Sequence, residues 1–414
     1  MRFNSFARVM PKKNAAKCDQ CSVSVQYRDK INPTLSFLYT PHSITVLVGI
    51  IACFVYSAFF ETTVFHTASN VKRGLLAAAV VFLFIGMTQF PNGPFIRPHP
   101  AIWRLVLAAS VIYLMMLIFT FFQHVDDARS FLGFMDPSLG VILEEKTYAA
   151  NCDLNWDNLY NQMDAFVLAH SLGWYVKALL LRDYWLLWIL SILFELSEYS
   201  LEHQLPNFAE CWWDHWILDV LVCNWLGIYL GMKTCEYFEM KPYLWRGVGK
   251  IAGVKGKIQR TAAQFTPHSW TSFHWWGAGN TFKHYIGVLA ILSLFNLCEL
   301  NAFYLKYLLW IPPTHLYNQI RLAMHALIGA VAIREVYQYF SDKQCKRLGA
   351  QAWIQAAILS IETLICIKFG RNEFPNSAPE YVVRFWQIAV ILLILYPFWQ
   401  YFLKPRLFKD LKTE

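Results

Sequence analysis

The sequence predicts an all-α, polytopic integral membrane protein with about ten transmembrane helices. Two features of its composition lead to this fold class: 56% of the 414 residues are apolar (AVILMFWYC), and only 15% are charged. Soluble domains average about 45–50% apolar and about 25% charged residues. The balance therefore excludes a disordered chain and argues against a soluble enzyme. A third feature is the recurrence of apolar stretches of about 20 residues, the length that a helix needs to cross a bilayer.

Ten segments have this length and apolar character, and no repeat or low-complexity tract interrupts them. Several of the segments carry ionisable groups, so a hydropathy threshold alone would undercount them. In chain order, the predicted spans are 43–60, 74–91, 102–122, 164–181, 184–202, 216–235, 285–310, 320–338, 351–368 and 385–403.

The charged residues between the spans predict the orientation of the chain, because loops rich in Lys and Arg stay in the cytosol. Segment 1–42 carries seven Lys/Arg and two acids, and segment 236–283 repeats this ratio. Segment 123–163 reverses it, with two Lys/Arg and seven acids, as expected of a lumenal loop. Further basic residues fall on the cytosolic side with ten spans, namely Lys343, Lys346, Arg347, Lys404, Arg406, Lys409 and Lys412.

We therefore expect a cytosolic N-terminal segment (1–42), a single transmembrane catalytic domain (43–403) and a cytosolic basic tail (404–414). The formal charge of +8 then reports membrane orientation near anionic headgroups rather than a nucleic-acid partner. The residues leave the oligomeric state open, a homo-oligomer included.

Acidic residues inside the predicted spans are the first candidates for chemistry, because charges at membrane depth are costly. Glu195, Glu198 and Glu202 in the fifth span are spaced i, i+3, i+7 and share one helix face. Glu210 and Asp214, spaced i, i+4, share a second face and lie about 6 Å apart along the helix axis. These two acidic faces are expected to meet at one lumenal turn.

The turn between the two faces contains Pro206, which can begin the second helix, and Asn207 beside it. Paired carboxylates in a hydrophobic wall repel one another unless a cation or protons intervene. Oxygen ligands without a Cys or His pattern at zinc spacing suit a hard ion such as Ca²⁺. Hydrogen bonding between helices by protonated acids is the structural alternative, and Glu202 best fits a merely exposed position.

Two polar residues of the sixth span have a different relation to the acidic face. At about 100° per residue, Asp219 lies about 140° from Asp214, off the shared face, where it can pair with another helix. Asn224 returns toward the acidic face but lies about 15 Å further along the axis than Asp214, which argues against its binding the same ion.

The fourth span contains His170 and Lys177. An imidazole there suits proton transfer near neutral pH, and it suits a structural hydrogen bond between helices equally well. Lys177 can meet a phosphate or extend its amine to the membrane interface, and we favour the second interpretation.

Basic residues on the predicted cytosolic side form another candidate group. The proline-rich loop PNGPFIRPHP (91–100) carries Arg97 and His99 and can be a binding loop or a structural turn. Arg260, Gln264 and Arg334 can bind a lipid phosphate or merely follow the orientation rule.

Several motifs of related chemistry are absent from the sequence. It has no Asp-Gly dipeptide, which excludes the DGxxAR signature of CDP-alcohol phosphotransferases, and no His is followed by Lys two residues later. It also has no GxxxxGK[ST] loop for nucleotide phosphates. A cation-coupled transporter would carry similar intramembrane acids, but it predicts broken helices and repeat symmetry, which the sequence lacks. A membrane acyltransferase would explain an intramembrane His but not five clustered oxygen ligands.

Five runs of sequence carry a family resemblance over residues 35–370, namely PNGPFIRPHPAIWR, LPNFAECWWDHWILDVLVCN, QFTPHSWT, DKQCKRLG and CIKFG. With these runs the chain resembles the eukaryotic base-exchange phosphatidylserine synthases. The resemblance implies an enzyme of the endoplasmic reticulum membrane that needs Ca²⁺ and no nucleotide. It implies exchange of the choline or ethanolamine headgroup of phosphatidylcholine or phosphatidylethanolamine for L-serine, which yields phosphatidylserine.

The resemblance also assigns roles to residues that match the family motifs. It links to activity a set that, on our mechanistic hypothesis, divides into catalytic and calcium-binding residues. We expect His170 and Asp219 to be catalytic, with calcium held among Glu195, Glu198, Asn207, Glu210 and Asp214. It links a further set to substrate binding, activity or product feedback, and to this set we add Lys177 from its position: Arg97, His99, Lys177, Asn224, Arg260, Gln264 and Arg334. Separately, Cys152 and Cys211 both fall on the lumenal side, where an oxidising compartment permits a disulfide.

Overall fold

A computed structural model describes residues 43–407 apart from 61–66, 144–148, 150, 157, 159, 161–164, 242, 244, 246, 276–280, 343 and 375. The described residues form helices and connecting segments without any β-strand, which confirms the predicted all-α class. The predicted N-terminal segment 1–42, the end of the tail (408–414) and Lys343 lie outside the described residues.

Helices stand at all ten positions where spans are predicted. Within the described residues, α4 and α8 below lie in segments predicted as loops, and the short α13 lies in the predicted tail. The helices are α1 (Ser43–Val55, continued by π-helical Tyr56–Phe60), α2 (Thr67–Gln89), α3 (Pro100–Phe122), α4 (Val125–Met135), α5 (Ala165–Leu181), α6 (Tyr184–Leu201), α7 (Asp214–Met240, π-helical over Asp214–Asn224), α8 (Val254–Ala262), α9 (Phe282–Leu308), α10 (Leu316–Ser341), α11 (Ala350–Glu373), α12 (Glu380–Pro397, continued by π-helical Phe398–Leu403) and α13 (Lys404–Leu407).

Seven of these helices are long and apolar enough to cross a membrane: α2, α3, α7, α9, α10, α11 and α12. The apolar parts of α1 and α5, Thr45–Phe59 and Val167–Leu181, are shorter than a usual span. Helix α6 has 18 residues and includes Glu195 and Glu198. The seven helices make the chain a multi-pass membrane protein, whereas the total of about ten spans stays a prediction.

The bundle has two hydrophobic centres that share α9 and α10. One centre, around Trp174, Leu190 and Ile228, joins α5, α6 and α7. The other, around Leu308 and Ile358, joins α3, α4 and α11. Because α9 and α10 contribute side chains to both centres, they fix the α5–α6–α7 unit against the rest of the bundle.

Helix α7 approaches α5 unusually closely because Gly227 and Gly231 face it. A Cβ atom at Gly227 would collide with the carbonyl oxygen of Ser171, and one at Gly231 would collide with the Cβ of Ala178. This small-xxx-small spacing is a common way for membrane helices to bring their backbones together. It sets the separation of the polar side chains that α5 and α7 carry one turn away.

A buried ion pair joins α10 to α11 inside the second centre. The Arg321 guanidinium donates to both carboxylate oxygens of Glu362, from Nε at 2.8 Å and from Nη2 at 2.6 Å. The Tyr113 hydroxyl donates to the same carboxylate at 2.6 Å, and His325 lies 3.3 Å from it. The Glu362 side chain is fully buried, so the pair depends on these partners for its solvation.

We predict that Glu362→Gln strongly destabilises the protein. The substitution keeps the shape of the side chain but leaves the Arg321 charge buried without a counter-charge, which costs about 3–5 kcal/mol. Thermal unfolding of the detergent-purified protein should show a clearly lowered midpoint.

The control is Glu380→Gln, because the Glu380 carboxylate is 77% exposed in its pair with Arg384 and such pairs contribute at most about 1 kcal/mol. Equal melting temperatures for the two variants would contradict a stabilising role of the Arg321–Glu362 pair.

Candidate active site

The candidate site lies where α6 ends and α7 begins, joined by a connection that includes the 3₁₀ turn Pro206–Phe208. Glu195 and Glu198 lie on α6 with 0% and 5% of their surface exposed, and Asp214 at the start of α7 has 6%. Glu210, in the connection, is close to them. The structure therefore brings together four of the five residues assigned to the metal, in the setting where an uncompensated charge costs most.

Two other residues near the turn, Glu202 and Asn207, are not part of this cluster. Glu202 is exposed, in agreement with its predicted position. Asn207 lies on the 3₁₀ turn Pro206–Phe208, near the cluster in the chain but without a hydrogen bond to it among the described residues.

Helix α7 is π-helical over Asp214–Asn224, and this changes the position of Asp219. In a π-helix the backbone bonds from i to i+5, so residues five apart lie nearly above one another. One carboxylate oxygen from each of Glu210, Asp214 and Asp219 lies within 4.8 Å of the others. The interpretation that Asp219 lies off the acidic face is wrong, because it assumed α-helical geometry.

His215 is a member of the site that the sequence analysis missed. Its ring is fully buried, and Nδ1 lies 3.0 Å from Glu195 Oε2, 3.7 Å from Glu198 Oε2 and 3.8 Å from Glu210 Oε2. The only available signal was its place beside Asp214 in an unusual run of sequence. An imidazole thus lies among the carboxylates of the cluster.

Burial also changes the pKa of Glu210, the acid in the connection between α6 and α7. Burial raises the pKa of the Glu210 carboxyl to about 7, because the charged form loses hydration. A carboxylate in this state is stabilised by any cation that enters the cluster.

His170 on α5 faces α7 at the edge of the acid cluster. Its Nε2 is 2.7 Å from Asn224 Oδ1, and Asn224 Nδ2 donates to the Ser191 hydroxyl at 2.8 Å. The second bond orients the amide so that its oxygen faces His170, which places the imidazole proton on Nε2. The Trp174 Nε1–H donates toward the same nitrogen at 3.2 Å and favours a lone pair there, whereas the shorter Asn224 contact favours the tautomer with its proton on Nε2.

This tautomer leaves His170 Nδ1 as the basic nitrogen. Among the described residues Nδ1 has no hydrogen-bond partner, and 28% of the side chain is exposed. Asp219 Oδ1 lies 4.0 Å from Nε2, close enough to stabilise an imidazolium but beyond hydrogen-bond distance. Asn224, set aside as a ligand on geometric grounds, is thus the residue that holds the His170 ring.

Lys177 does not extend to the membrane interface, so the preferred interpretation of this residue is wrong. It is buried, and its Nζ is 3.2 Å from Glu299 Oε1 on α9 and 3.8 Å from the centre of the Trp174 ring. The acidic partner lies 122 positions further along the chain, and its carboxylate gives the buried ammonium a counter-charge.

A second polar group lies at the far end of α7, away from the acids. Arg97 and Arg260 both donate to Gln264 Oε1, at 2.6 Å and 3.1 Å. The Arg97 guanidinium is 3.3 Å from the centre of the Trp245 ring, and that of Arg260 is 5.0 Å from it. The structure therefore gathers three of the predicted substrate or regulatory residues, Arg97, Arg260 and Gln264. Together with Trp245 they form what we call the Arg97 group.

The other two residues predicted for the cytosolic side, His99 and Arg334, have different surroundings. His99 caps the start of α3, where its Nδ1 accepts a hydrogen bond from the Ala101 amide at 3.1 Å. Arg334 on α10 makes no hydrogen bond or ion pair within the described residues, although its charge acts on Arg182. His99 thus has a structural role in helix capping.

Cys152 and Cys211 form a disulfide, which ties the segment after α4 to the connection that carries Glu210. Trp213 Nε1 donates to the carbonyl oxygen of Cys152 at 3.3 Å and reinforces this link. The acid cluster is thereby fixed on the side that α6 does not cover.

Comparison with known proteins identifies the family of the chain. The family model described as phosphatidyl serine synthase matches residues 98–370, which include α3 and the whole acid cluster. The chain belongs to the phosphatidylserine synthase family. This confirms the family that the sequence runs indicated, and with it the enzyme class.

Individual members of the phosphatidylserine synthase family match most of the chain. Phosphatidylserine synthase 2 of Danio rerio is 47% identical, over 90% of this chain and 84% of its own length. Phosphatidylserine synthase 2 of Homo sapiens is also 47% identical, over 90% of this chain and 78% of its own length. A relative from Oryza sativa subsp. japonica is called CDP-diacylglycerol--serine O-phosphatidyltransferase 2. It is 41% identical, over 91% of this chain and 93% of its own length.

We predict that Asn224→Ala lowers the rate of phosphatidylserine formation at least about tenfold, with little change in KM. Without the Asn224 oxygen the His170 ring loses its fixed tautomer, which affects the chemical step more than substrate binding. The measurement is steady-state kinetics of the purified variant, with thermal unfolding to verify the fold.

Ser191→Ala is the graded control, because Ser191 only accepts from the Asn224 amide and should give a smaller loss. A fully active Asn224→Ala enzyme would refute the role of Asn224 in holding His170.

Proposed function

We propose that this protein makes phosphatidylserine by calcium-dependent base exchange, in which L-serine replaces the choline or ethanolamine of a phospholipid. The observation that carries the proposal is the pairing of one basic imidazole nitrogen with a cluster of carboxylates inside a membrane protein. Family membership supports phosphatidylserine as the product. The absence of a DGxxAR signature and of a nucleotide-binding loop supports a phospholipid, rather than a nucleotide-activated lipid, as the donor.

The residues of the cluster fit a hard divalent cation. Glu195 Oε1 is buried and accepts no hydrogen bond within the described part of the chain, so a cation would satisfy it. Glu210, Asp214 and Asp219 offer three further carboxylates within reach of one ion, and carboxylate oxygens are the ligands that Ca²⁺ prefers. We therefore include Asp219, first assigned to catalysis, among the calcium ligands, together with Glu195, Glu210 and Asp214.

Calcium bound there would withdraw charge from the phosphoryl oxygens of the donor lipid. The chain's own residues then move the proton. His170 Nδ1 accepts the proton of the serine hydroxyl while that oxygen forms the new bond to phosphorus. As the old phosphorus–oxygen bond breaks, the leaving choline or ethanolamine takes the proton from His170. One phosphodiester is replaced by another, so the exchange is near energy-neutral.

Two residues support His170 during this proton transfer. Asn224 accepts from Nε2–H and keeps Nδ1 directed to the open side of the site. Asp219 at 4.0 Å stabilises the positive ring that forms when Nδ1 takes up the proton.

We place the enzyme in the endoplasmic reticulum membrane, with both termini in the cytosol and the acid cluster near the lumenal face. The disulfide between Cys152 and Cys211 supports this orientation, because disulfides persist in oxidising compartments. The distribution of Lys and Arg supports it independently.

A second candidate donor is CDP-diacylglycerol, because the name of the Oryza relative specifies it. The cation-coupled transporter is the alternative from another class, and it would move an ion without making lipid. A single set of assays distinguishes the three possibilities.

We predict that the purified protein in nanodiscs incorporates labelled serine into phosphatidylserine when phosphatidylcholine or phosphatidylethanolamine and calcium are present. Chelation of calcium should abolish incorporation, and addition of CDP-diacylglycerol without calcium should not restore it. Asp214→Asn should lower the rate at least about 100-fold, because it removes a buried ligand charge, while Glu202→Gln on the exposed side of the turn should leave the rate unchanged.

Incorporation that requires CDP-diacylglycerol would replace the base-exchange proposal with the second donor. No labelled phosphatidylserine under any of these conditions would exclude both.

We further propose that the Arg97 group binds an anionic lipid headgroup and mediates inhibition by the product. Two guanidinium groups converge on the single oxygen of Gln264, and Gln264 Nε2 is held by the carbonyl oxygen of Pro98 at 2.7 Å. Two positive charges held so close are stabilised by an anion. The planar guanidinium group of arginine can donate two parallel hydrogen bonds to a phosphate.

Under this proposal, Arg97→Gln raises the concentration of phosphatidylserine needed for half-inhibition roughly tenfold, since a charge-assisted hydrogen bond contributes about 1.5–3 kcal/mol. The readout is the ratio of inhibited to uninhibited rates as phosphatidylserine is added to mixed micelles. Arg384→Gln, which changes an exposed arginine, is the matched control. Superimposable inhibition curves would rule out an anion site at the Arg97 group.

A further inference from the structure

The contacts of His215 differ from those of the other side chains in the acid cluster. From α7 its ring contacts two other stretches of chain, because Glu195 and Glu198 lie on α6 and Glu210 lies in the connection. The Tyr199 ring lies 4.3 Å from it, centre to centre, at a tilt of 33°, and covers one face. The imidazole is therefore fixed in both position and plane.

The hydrogen-bond pattern determines which nitrogen carries the proton. Nδ1 is 3.0 Å from Glu195 Oε2, a hydrogen-bond distance, while Nε2 is buried and has no partner among the described residues. With the proton on Nδ1, the ring donates to the carboxylate and leaves only a lone pair at Nε2. The other tautomer would oppose two lone pairs and bury an unpaired N–H, which costs about 1–3 kcal/mol.

This bond leaves the two oxygens of Glu195 with different roles. Oε2 accepts from His215, whereas Oε1 is buried and accepts no hydrogen bond in the described part of the chain. Glu195 also offers a ligand atom within 4.8 Å of Asp219 and His170. A carboxylate held through one oxygen presents the other in a fixed direction, which favours a metal over water.

We propose that His215 is a positioning residue that orients Glu195, through its Nδ1–H, as a ligand of the bound cation. This role rests on the proposed calcium site. His215 itself does not ligate the ion, and the bond to Glu195 is what distinguishes its function from that of His170.

The experiment measures calcium binding by isothermal titration calorimetry on the full-length protein in nanodiscs. His215→Asn retains a donor near the position of Nδ1, whereas His215→Gln moves the donor toward the position of Nε2, and His215→Leu removes it. His203→Leu is the matched control, because it makes the same substitution at a histidine in the connection between α6 and α7, outside the cluster. Thermal unfolding of each variant verifies its fold.

We expect calcium affinity to fall about 10–100-fold in the Leu and Gln variants, as for other residues that orient ligands, and to recover in His215→Asn to within a few-fold of the unmodified protein. The calcium concentration for half-maximal serine incorporation should shift in parallel. Unchanged affinity in His215→Leu, or recovery by Gln rather than Asn, would overturn this role while leaving the calcium site intact. Absence of calcium binding to the unmodified protein would instead refute the proposed function.

Discussion

Repulsion among carboxylates in a membrane protein is the constraint on which the site depends. Two such charges 4 Å apart repel by about 4 kcal/mol at an effective dielectric constant of 20, and five acids converge here. Two histidines lie among these acids: His215 on α7 donates to Glu195, and His170 on α5 lies beside Asp219. The calcium ion that we propose would compensate charge that these two partners do not.

The geometry of the helices around the cluster follows from a few close contacts. Gly227 and Gly231 let α7 approach α5, which brings Asn224 within hydrogen-bond distance of His170. Ser191 on α6 then orients the Asn224 amide. Three helices thus hold one imidazole, and the disulfide from Cys211 holds the connection between two of them.

Local patterns in the sequence were sufficient for the elements and for most of the acids. Apolar length placed helices at all ten predicted positions, and α-helical spacing grouped Glu195 with Glu198. Asp219 was misplaced because no local signal announces a π-helix, and Lys177 because its partner Glu299 is distant in sequence. His215 was missed because interest centred on oxygen ligands, although a neighbouring imidazole is a common partner for buried carboxylates.

The π-helical start of α7 allows its acidic surface and its glycine surface to face different neighbours. A uniform α-helix would fix the angle between these two surfaces. Asp214 and Asp219 are aligned by a five-residue period, while Gly227 and Gly231 are aligned by the four-residue spacing of an ordinary helix. A wider period upstream lets the acids face the cluster without turning the glycines away from α5. The number of residues in the π-helical segment Asp214–Asn224 should therefore tolerate less change than the identity of its apolar side chains. Losing or gaining one residue would rotate one surface against the other by about 100°, whereas exchanging one apolar residue for another would not.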